Sequence, residues 1–284
     1  MKKHAFLIMA TKNNEQLRKL IETLDDPQND IFLHIDSDFR GTVNCNVKSS
    51  PVYVVDRIKG SWAAYSLVKI EFALLKKAVE VGGYSYFHLL SESDLPIVSN
   101  DELHSFFFNR AEEFIEFQEI NTKAIKNKVN YIYPLQEYIG KKHGALWFLQ
   151  KLILILEKLF SKKNQDEMYQ NLAKGSQWFS ITEDFAEYIV DQEEKCEKLL
   201  SKSQAPDEIF IQTICLNSKF VNRISNVEEG NLRYIKWNKG NSPEILMGKD
   251  ITKIVGSGDI FARKFNGEVD YGVMKEIYNM IGKK

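Results

Sequence analysis

Apolar runs and amphipathic stretches alternate along the first ninety residues. The apolar runs predict four strands, at 4–10, 31–35, 52–56 and 84–90. Between them, apolar positions recur at helical spacing in 12–24 and 61–81, and Gly82-Gly83 is expected to end the second helix. Strands that alternate with helices predict an α/β fold with a mostly parallel, Rossmann-like central sheet flanked by helices.

The remaining periodic segments are shorter. They predict strands at 113–117, 176–181 and 232–237, and helices at 101–108, 182–190, 249–255 and 272–281. Residues 91–96 are expected to form a polar turn, and 260–265 a basic and aromatic patch. We predict one domain, 1–284, with an inserted helical and basic segment at 121–170.

The inserted segment contains one apolar helix, predicted at 145–160. Lysines bracket this helix, at positions 141, 142, 162 and 163. One interpretation is a core or lid helix with solvated ends. The other is an interfacial helix in 141–163 that holds the chain peripherally on an anionic membrane. No run of about 18 apolar residues exists, so no membrane span is predicted.

Composition narrows the function classes. A net charge of −1 over 284 residues gives no basic footprint for nucleic-acid binding. The three cysteines are far apart, which argues against a disulfide framework and favours a reducing compartment. The apolar run at 5–10 is too short for a signal peptide. We therefore expect a cytoplasmic protein.

Polar residues follow three of the predicted strands. Thr11, Asp36 and Asp56-Arg57 fall at carboxyl ends of strands, where parallel sheets bind ligands. The acid-x-acid pairs Asp36/Asp38 and Glu92/Asp94 could each hold a divalent metal against a diphosphate, although such pairs are also common in loops.

Other nucleotide and metal motifs are missing from the sequence. It contains no P-loop, no GxGxxG, no GxSxG and no paired histidines at metal-ligand spacing. His34 fits a packed core residue better than a catalytic group.

Two charged motifs in the second half have both a structural and a functional interpretation. Pro206, Asp207 and Glu208 fit a helix start, where proline and acidic residues are favoured for local reasons. Arg263-Lys264 lies between aromatic residues and is either a solvated charge pair or a phosphate clamp.

Taken in order, these motifs resemble the core-2/I-branching glycosyltransferase family, which includes the peptide xylosyltransferases. The matching segments are 32–36 (FLHID), 61–66 (SWAAYS), 87–96 (FHLLSESDLP), 175–179 (GSQWF), 205–208 (APDE), 236–237 (KW) and 261–265 (FARKF). Only 121–170 lacks a clear match.

The resemblance implies a GT-A type α/β fold and inverting, metal-independent transfer from a UDP-sugar. By the family's motifs, Glu208 is the general base, Arg263 and Lys264 neutralise the diphosphate, and Asp36 helps to hold the nucleoside. Thr11 and Arg57 are further donor-side candidates. The family's second diphosphate cation has no certain counterpart, and Lys249 or Lys253 could supply it.

The same resemblance suggests an acceptor side. Trp237 maps to a residue that lines the acceptor site, and Glu116 matches an acceptor-side glutamate. The other expected acceptor-side residues are Asp94, Gln177 and Trp178.

The expected function is transfer of GlcNAc, or else xylose or another hexose, to a hydroxyl of a glycan or lipid-linked glycan. Few cysteines and no predicted anchor suggest a compact bacterial relative that builds surface polysaccharide or glycoconjugate. UDP-sugar would be the co-substrate, with neither cofactor nor metal. The alternatives are a metal-dependent GT-A glycosyltransferase of another family and a non-catalytic module that binds a nucleotide-sugar or glycan.

Overall fold

The computed structural model describes residues 2–12, 14–42, 45–141, 144–160, 169–226, 228–238 and 242–282. The described strands are β1 (Lys3–Ala10), β2 (Asn29–Ile35), β3 (Val52–Val54), β4 (Tyr84–Ser91), β5 (Asp94–Pro96), β6 (Phe114–Ile115), β7 (Glu119–Ile120), β8 (Ala173–Lys174), β9 (Phe179–Thr182), β10 (Arg233–Ile235) and β11 (Phe261–Arg263). The described α-helices are α1 (Glu15–Thr23), α2 (Tyr65–Val81), α3 (Asn100–Phe107), α4 (Lys123–Asn130), α5 (Gln136–Ile139), α6 (Ala145–Phe160), α7 (Glu183–Asp191), α8 (Glu193–Leu200), α9 (Phe210–Leu216), α10 (Ile251–Val255) and α11 (Tyr271–Ile281). Short 3-10 turns occur at Pro206–Glu208, Lys219–Arg223 and Gly248–Asp250.

The central sheet has the strand order β3-β2-β1-β4-β9-β6. Its first four strands run parallel, whereas β9 lies antiparallel to both β4 and β6. Helices α1 and α2 bury apolar faces beside this sheet, so both of its faces are covered. The predicted α/β fold with a mostly parallel, helix-flanked sheet is therefore confirmed.

A second sheet, β10-β11-β5, corrects two predictions. Residues 91–96 were expected to be a turn and 260–265 a patch, but β5 and β11 pair antiparallel, with Arg263 opposite Asp94. Strand β10 pairs parallel to β11. Each of these strands is three residues long, which is too short for a recognisable period, so pairing with distant segments decides their conformation.

Two helix starts also differ from the prediction. Helix α2 begins at Tyr65 and not at Ser61, because 61–64 form a turn in which Ala63 has a φ of 57°. Ser61 donates to the carbonyl of Glu137 at 2.6 Å in place of capping the helix. Pro206–Glu208 is a 3-10 turn, and α9 begins only at Phe210.

Helix α6 has the predicted bounds, but it is not a core helix. Its outward leucines, isoleucine and phenylalanine are exposed, whereas Gln150 is buried. Within the described residues, no helix has both the length and the apolar character needed to cross a bilayer. The lysines expected at 142, 162 and 163 lie outside the described residues.

Candidate active site

The turn Pro206–Glu208 separates two adjacent carboxylates. Ala205 precedes it in the left-handed conformation, with a φ of 51°, and its N–H is held by the carbonyl of Ala63 at 2.9 Å. The tight turn leaves Asp207 buried, whereas the Glu208 side chain is 40% exposed. Of the two carboxylates, Glu208 is therefore the one that a substrate can contact.

Two lysines face the Glu208 carboxylate. Its Oε2 lies 3.3 Å from Lys174 Nζ and 3.7 Å from Lys128 Nζ. Lys174 also donates to Gln118 Oε1 at 3.1 Å, so its ammonium is held from a second side. Neither lysine was predicted from the sequence, because both lie in or next to the segment without a family match.

Gly175 joins Glu208 to Glu116. Its N–H donates to the Glu208 carbonyl at 2.9 Å. A Cβ at Gly175 would lie 1.8 Å from the Glu116 carbonyl oxygen, so only glycine fits this close approach. Buried Gln212 of α9 reinforces it by donating to the carbonyls of Ser176 at 2.6 Å and Glu116 at 3.3 Å. The Glu116 backbone thus lies beside the turn Pro206–Glu208.

A buried carboxyl pair, Glu71 and Asp207, lies behind Glu208. Burial, followed by the charge of Glu208, raises the pKa of Asp207 to about 7. Burial, followed by the charge of Asp207, raises the pKa of Glu71 well above its usual value. Gln177 donates to Glu71 Oε1 at 2.8 Å, so Gln177 supports this pair and does not point freely to an acceptor. Glu71 was missed, although one acid on the apolar stripe between Leu67 and Leu75 is a usable signal.

Arg263 is fixed from two sides. Its Nε lies 2.9 Å from Asp94 Oδ1, and its guanidinium carbon lies 4.0 Å from the ring centre of Trp178. Asp94 also accepts from Ser91 Oγ at 2.7 Å and is only 1% exposed. Asp94 and Trp178, expected to contact the acceptor, are therefore placed to orient Arg263, because their interacting groups are buried against it.

Lys264 has a cationic neighbour from the inserted segment. Burial, followed by the charges of Lys141 and Arg263, lowers the pKa of Lys264. The Lys141 ammonium lies 5.8 Å from the ring centre of Trp62. Lys249 and Lys253, the expected sources of a second cation, are both exposed, and the described contacts do not bring either to Arg263 or Lys264. Lys141 is a better placed candidate.

A cleft of about 490 Å³ opens at the carboxyl ends of β1 and β4. Thr11, Glu92 and Lys264 are among its lining residues. Thr11 Oγ1 donates to Glu92 Oε1 at 2.5 Å, which ties the two strand ends together. The cleft therefore unites one predicted donor residue from the sheet with one from the basic motif.

Asp36 and Arg57 brace the loops beside this cleft and do not line it. Asp36 Oδ1 accepts from Asp38 N–H and Oδ2 from Gly60 N–H, each at 2.8 Å. The Arg57 guanidinium donates to the carbonyls of Phe39 and Gly41. As observed, both predicted donor residues hold loop backbone. His34 is buried, with its Nε2 3.0 Å from the Ile58 N–H, as expected for a core histidine.

The carboxylates of both acid-x-acid pairs have other partners. Asp38 pairs with Lys59 at 2.9 Å, Glu92 binds Thr11, and Asp94 pairs with Arg263. Among the described residues, no three histidine, cysteine, aspartate or glutamate side chains are grouped so that they could hold a metal ion.

Trp237 follows β10, whose Ile235 pairs with Arg263. Its side chain is 56% exposed, so the indole is available for stacking on a sugar. The structure thus brings Glu208, Glu116, Gln177, Trp178 and Arg263 together around 174–178.

Two sequence comparisons with known proteins agree on one class of enzyme. The family model described as Core-2/I-Branching enzyme matches residues 4–260. Xylosyltransferase 2 of Mus musculus is 23% identical over 95% of this chain, and Beta-glucuronosyltransferase GlcAT14A of Arabidopsis thaliana is 24% identical over 93%. The chain spans 32% of the first relative and 61% of the second.

Among solved structures, apo mouse xyloside xylosyltransferase 1 aligns with 92% of this chain and 97% of its own, with a TM-score of 0.38 and 7% identity. That score is too low to support an argument about the site. The family match rests on the sequence.

Proposed function

The chain belongs to the core-2/I-branching enzyme family, and from this premise we propose that it is an inverting, metal-independent glycosyltransferase. It would move a sugar from a UDP-sugar to a hydroxyl of a glycan acceptor. The donor sugar is proposed to be GlcNAc, or else xylose or another hexose. The names of the relatives favour a test of xylose and add glucuronate as a further donor sugar to test.

One observation carries the proposal. The short segment 174–178 contacts both halves of the expected machinery: Gly175 binds the Glu208 carbonyl, and Trp178 lies under Arg263. A base and a fixed cation held by one rigid segment suit a reaction in which a proton leaves the acceptor as negative charge grows on the leaving group.

In the proposed reaction, Glu208 takes the proton of the acceptor hydroxyl. The acceptor oxygen bonds to the anomeric carbon as the bond from that carbon to the diphosphate oxygen breaks, which inverts the anomeric centre. Arg263, Lys264 and Lys141 stabilise the charge that develops on UDP. Trp237 and Glu116 would hold the acceptor, and Asp36 and Thr11 would position the nucleotide.

The cellular setting is also a proposal. We place the chain in the cytoplasm, peripheral on the inner face of a bacterial membrane, where it would extend a lipid-linked glycan during surface polysaccharide synthesis. The basic inserted segment next to Glu208 supports this placement, since anionic membrane surfaces attract lysine.

Glu208→Gln tests the assignment of the base. We expect UDP-sugar binding, measured by calorimetry, to be preserved and UDP release in the presence of acceptor to fall by about two orders of magnitude or more. Glu276→Gln, which changes an exposed glutamate of α11, is the matched control. Near wild-type turnover in Glu208→Gln would refute the assignment, and donor binding without turnover by the wild type would indicate a binding module.

The same assay tests metal independence. Transfer is expected to survive excess EDTA. Loss of activity that manganese restores would instead favour the metal-dependent alternative, with Asp36/Asp38 or Glu92/Asp94 as the ligands.

A further inference from the structure

Helix α6 is hydrogen-bonded to the protein through two polar side chains and presents most of its apolar side chains outward, while Trp147, Ile153 and Leu154 are half-buried. Gln150 is buried, where it accepts from the Leu135 N–H at 2.9 Å and donates to the Ile132 carbonyl at 3.4 Å. About two turns later, Glu157 Oε2 accepts from the Ile132 N–H at 2.8 Å. This is the reverse of a helix that packs on a core through its apolar stripe.

The outward face is continuous. Phe148, Leu152, Ile155 and Leu159 recur at the spacing of one helix face, and Leu149 and Leu156 lie beside them. Exposure of the side chains on this face, together with Leu146, runs from 43% for Leu146 to 70% for Leu159. So many large apolar side chains on one exposed helix mark an interaction surface.

The charges along 121–160 indicate which kind of partner fits this apolar face. Lys151 and Lys158 flank the apolar face, each with its ammonium over an aromatic ring, at 3.6 Å from Trp147 and 5.4 Å from Tyr131. The two glutamates of 121–160 have a carboxylate oxygen bound to a backbone N–H, Glu137 to that of Ser66 at 2.9 Å and Glu157 to that of Ile132. The flank of the apolar face is therefore positive.

We propose that α6 lies in the plane of an anionic bilayer and docks the enzyme there. An apolar face of leucine, isoleucine and phenylalanine flanked by lysine is the composition that binds the boundary between headgroups and acyl chains. Sixteen residues span about 24 Å of helix, which is short of the roughly 30 Å hydrocarbon core, so the helix lies on the membrane and does not cross it.

A second copy of the chain fits this surface less well, because packing two such faces together would bring their lysine flanks close. The same segment also reaches the site: Lys128 faces Glu208, and Gln136 donates to the Trp62 carbonyl at 3.0 Å. Docking through α6 would hold the proposed base near the membrane surface, where a lipid-linked acceptor lies. That last consequence rests on the proposed function, whereas the docking itself does not.

The test is co-sedimentation with vesicles of phosphatidylcholine alone and of phosphatidylcholine with phosphatidylglycerol, at low and high salt. We expect binding to the anionic vesicles that weakens with salt. The combined variant Leu152→Gln/Ile155→Gln/Leu159→Gln should lower the partition coefficient by at least about tenfold. The matched control Phe108→Gln/Val255→Gln/Val269→Gln, at exposed apolar positions elsewhere, should bind like the wild type.

A second variant, Lys151→Gln/Lys158→Gln, should bind more weakly and with less dependence on salt. Circular dichroism and UDP release with a soluble acceptor show that each variant is folded. Absence of wild-type binding at low salt, or equal binding by the first variant and its control, would overturn the proposal. Concentration-dependent dimers in sedimentation, abolished by the first variant without any vesicle binding, would assign the face to a second copy.

Membrane docking and catalysis can fail separately. Glu208→Gln should bind vesicles like the wild type even if it transfers no sugar. Vesicle binding without any transfer by the wild type would refute the proposed function and leave the docking surface in place.

Discussion

The central sheet and the inserted segment differ in the side chains that they bury and expose. In β1, β2 and β4, apolar residues fill the interior, and even His4 and His88 are enclosed. In 121–160, Gln136 and Gln150 are buried as well as Ile125 and Ile139, while most of the apolar side chains of α6 are exposed. The sheet is therefore held by removal of apolar surface from water, whereas α6 is attached mainly by directed hydrogen bonds.

This difference separates stability from function. Loss of buried apolar side chains from the sheet would unfold the protein, whereas substitutions on the outer face of the segment should cost little free energy of unfolding. Because Lys128 and Lys141 belong to the segment, its position still affects the site. Three measurements test this difference between the sheet and the segment.

The largest difference in stability is expected between a leucine substitution in the sheet and one on α6. Leu89→Ala, at a fully buried position of β4, should lower the free energy of unfolding by about 2–5 kcal/mol because it leaves a cavity. Leu152→Ala on α6 should change it by less than about 0.5 kcal/mol, since that side chain is exposed. Urea unfolding measures both. Equal losses would show that α6 packs against the protein in solution and would contradict the comparison.

A smaller effect is expected from the buried histidines. His4 Nδ1 lies 2.9 Å from His88 Nε2, and burial, followed by the charge of His104, lowers the pKa of His4 to about 3. Burial also lowers the pKa of His88 and of His104. Between the unfolded value of 6.5 and the folded value, the unfolded chain binds the proton more tightly. The stability from neutral His4 is therefore complete above about pH 6.5 and is lost as the pH falls.

His4→Gln measures this contribution. Below pH 6.5, the wild type should lose stability relative to the variant, by up to about 1.4 kcal/mol of unfolding free energy per pH unit. Phe107→Leu, in ring contact with His4, is the control and should shift stability equally at every pH. Parallel profiles of stability against pH for the wild type and His4→Gln would show that the pKa of His4 is the same in the folded protein as in the unfolded chain.

The smallest stability effect is expected where the segment meets α2. Glu137→Ala removes the carboxylate that accepts from the Ser66 N–H and should cost less than about 1 kcal/mol of unfolding free energy. UDP release should nevertheless fall by roughly three- to tenfold, because Lys128 and Lys141 lose their support beside the site. Glu276→Ala is the control. A large loss of stability with turnover per folded molecule unchanged would place Glu137 in the core and away from catalysis.

Much of the candidate site could be predicted from the sequence. The Pro206–Glu208 turn, the Arg263-Lys264 strand end and the Gly175–Trp178 segment were identified by their order, and the structure brings them together. The side chains that contact them could not be predicted. Asp94 binds Arg263 only because β5 and β11 pair across the fold, and Glu71 lies near Asp207 only because α2 passes behind the Pro206–Glu208 turn.

Local patterns determined what each segment becomes. Apolar runs fixed β1, β2 and β4, and helical periodicity fixed α6 to its predicted bounds, because burial period and backbone geometry are properties of neighbouring residues. Tertiary structure alone decided which side chains face solvent and which face each other. It left Glu208 exposed and Asp207 buried in one turn and turned the apolar face of α6 outward, since burial and pairing depend on residues far away in the chain.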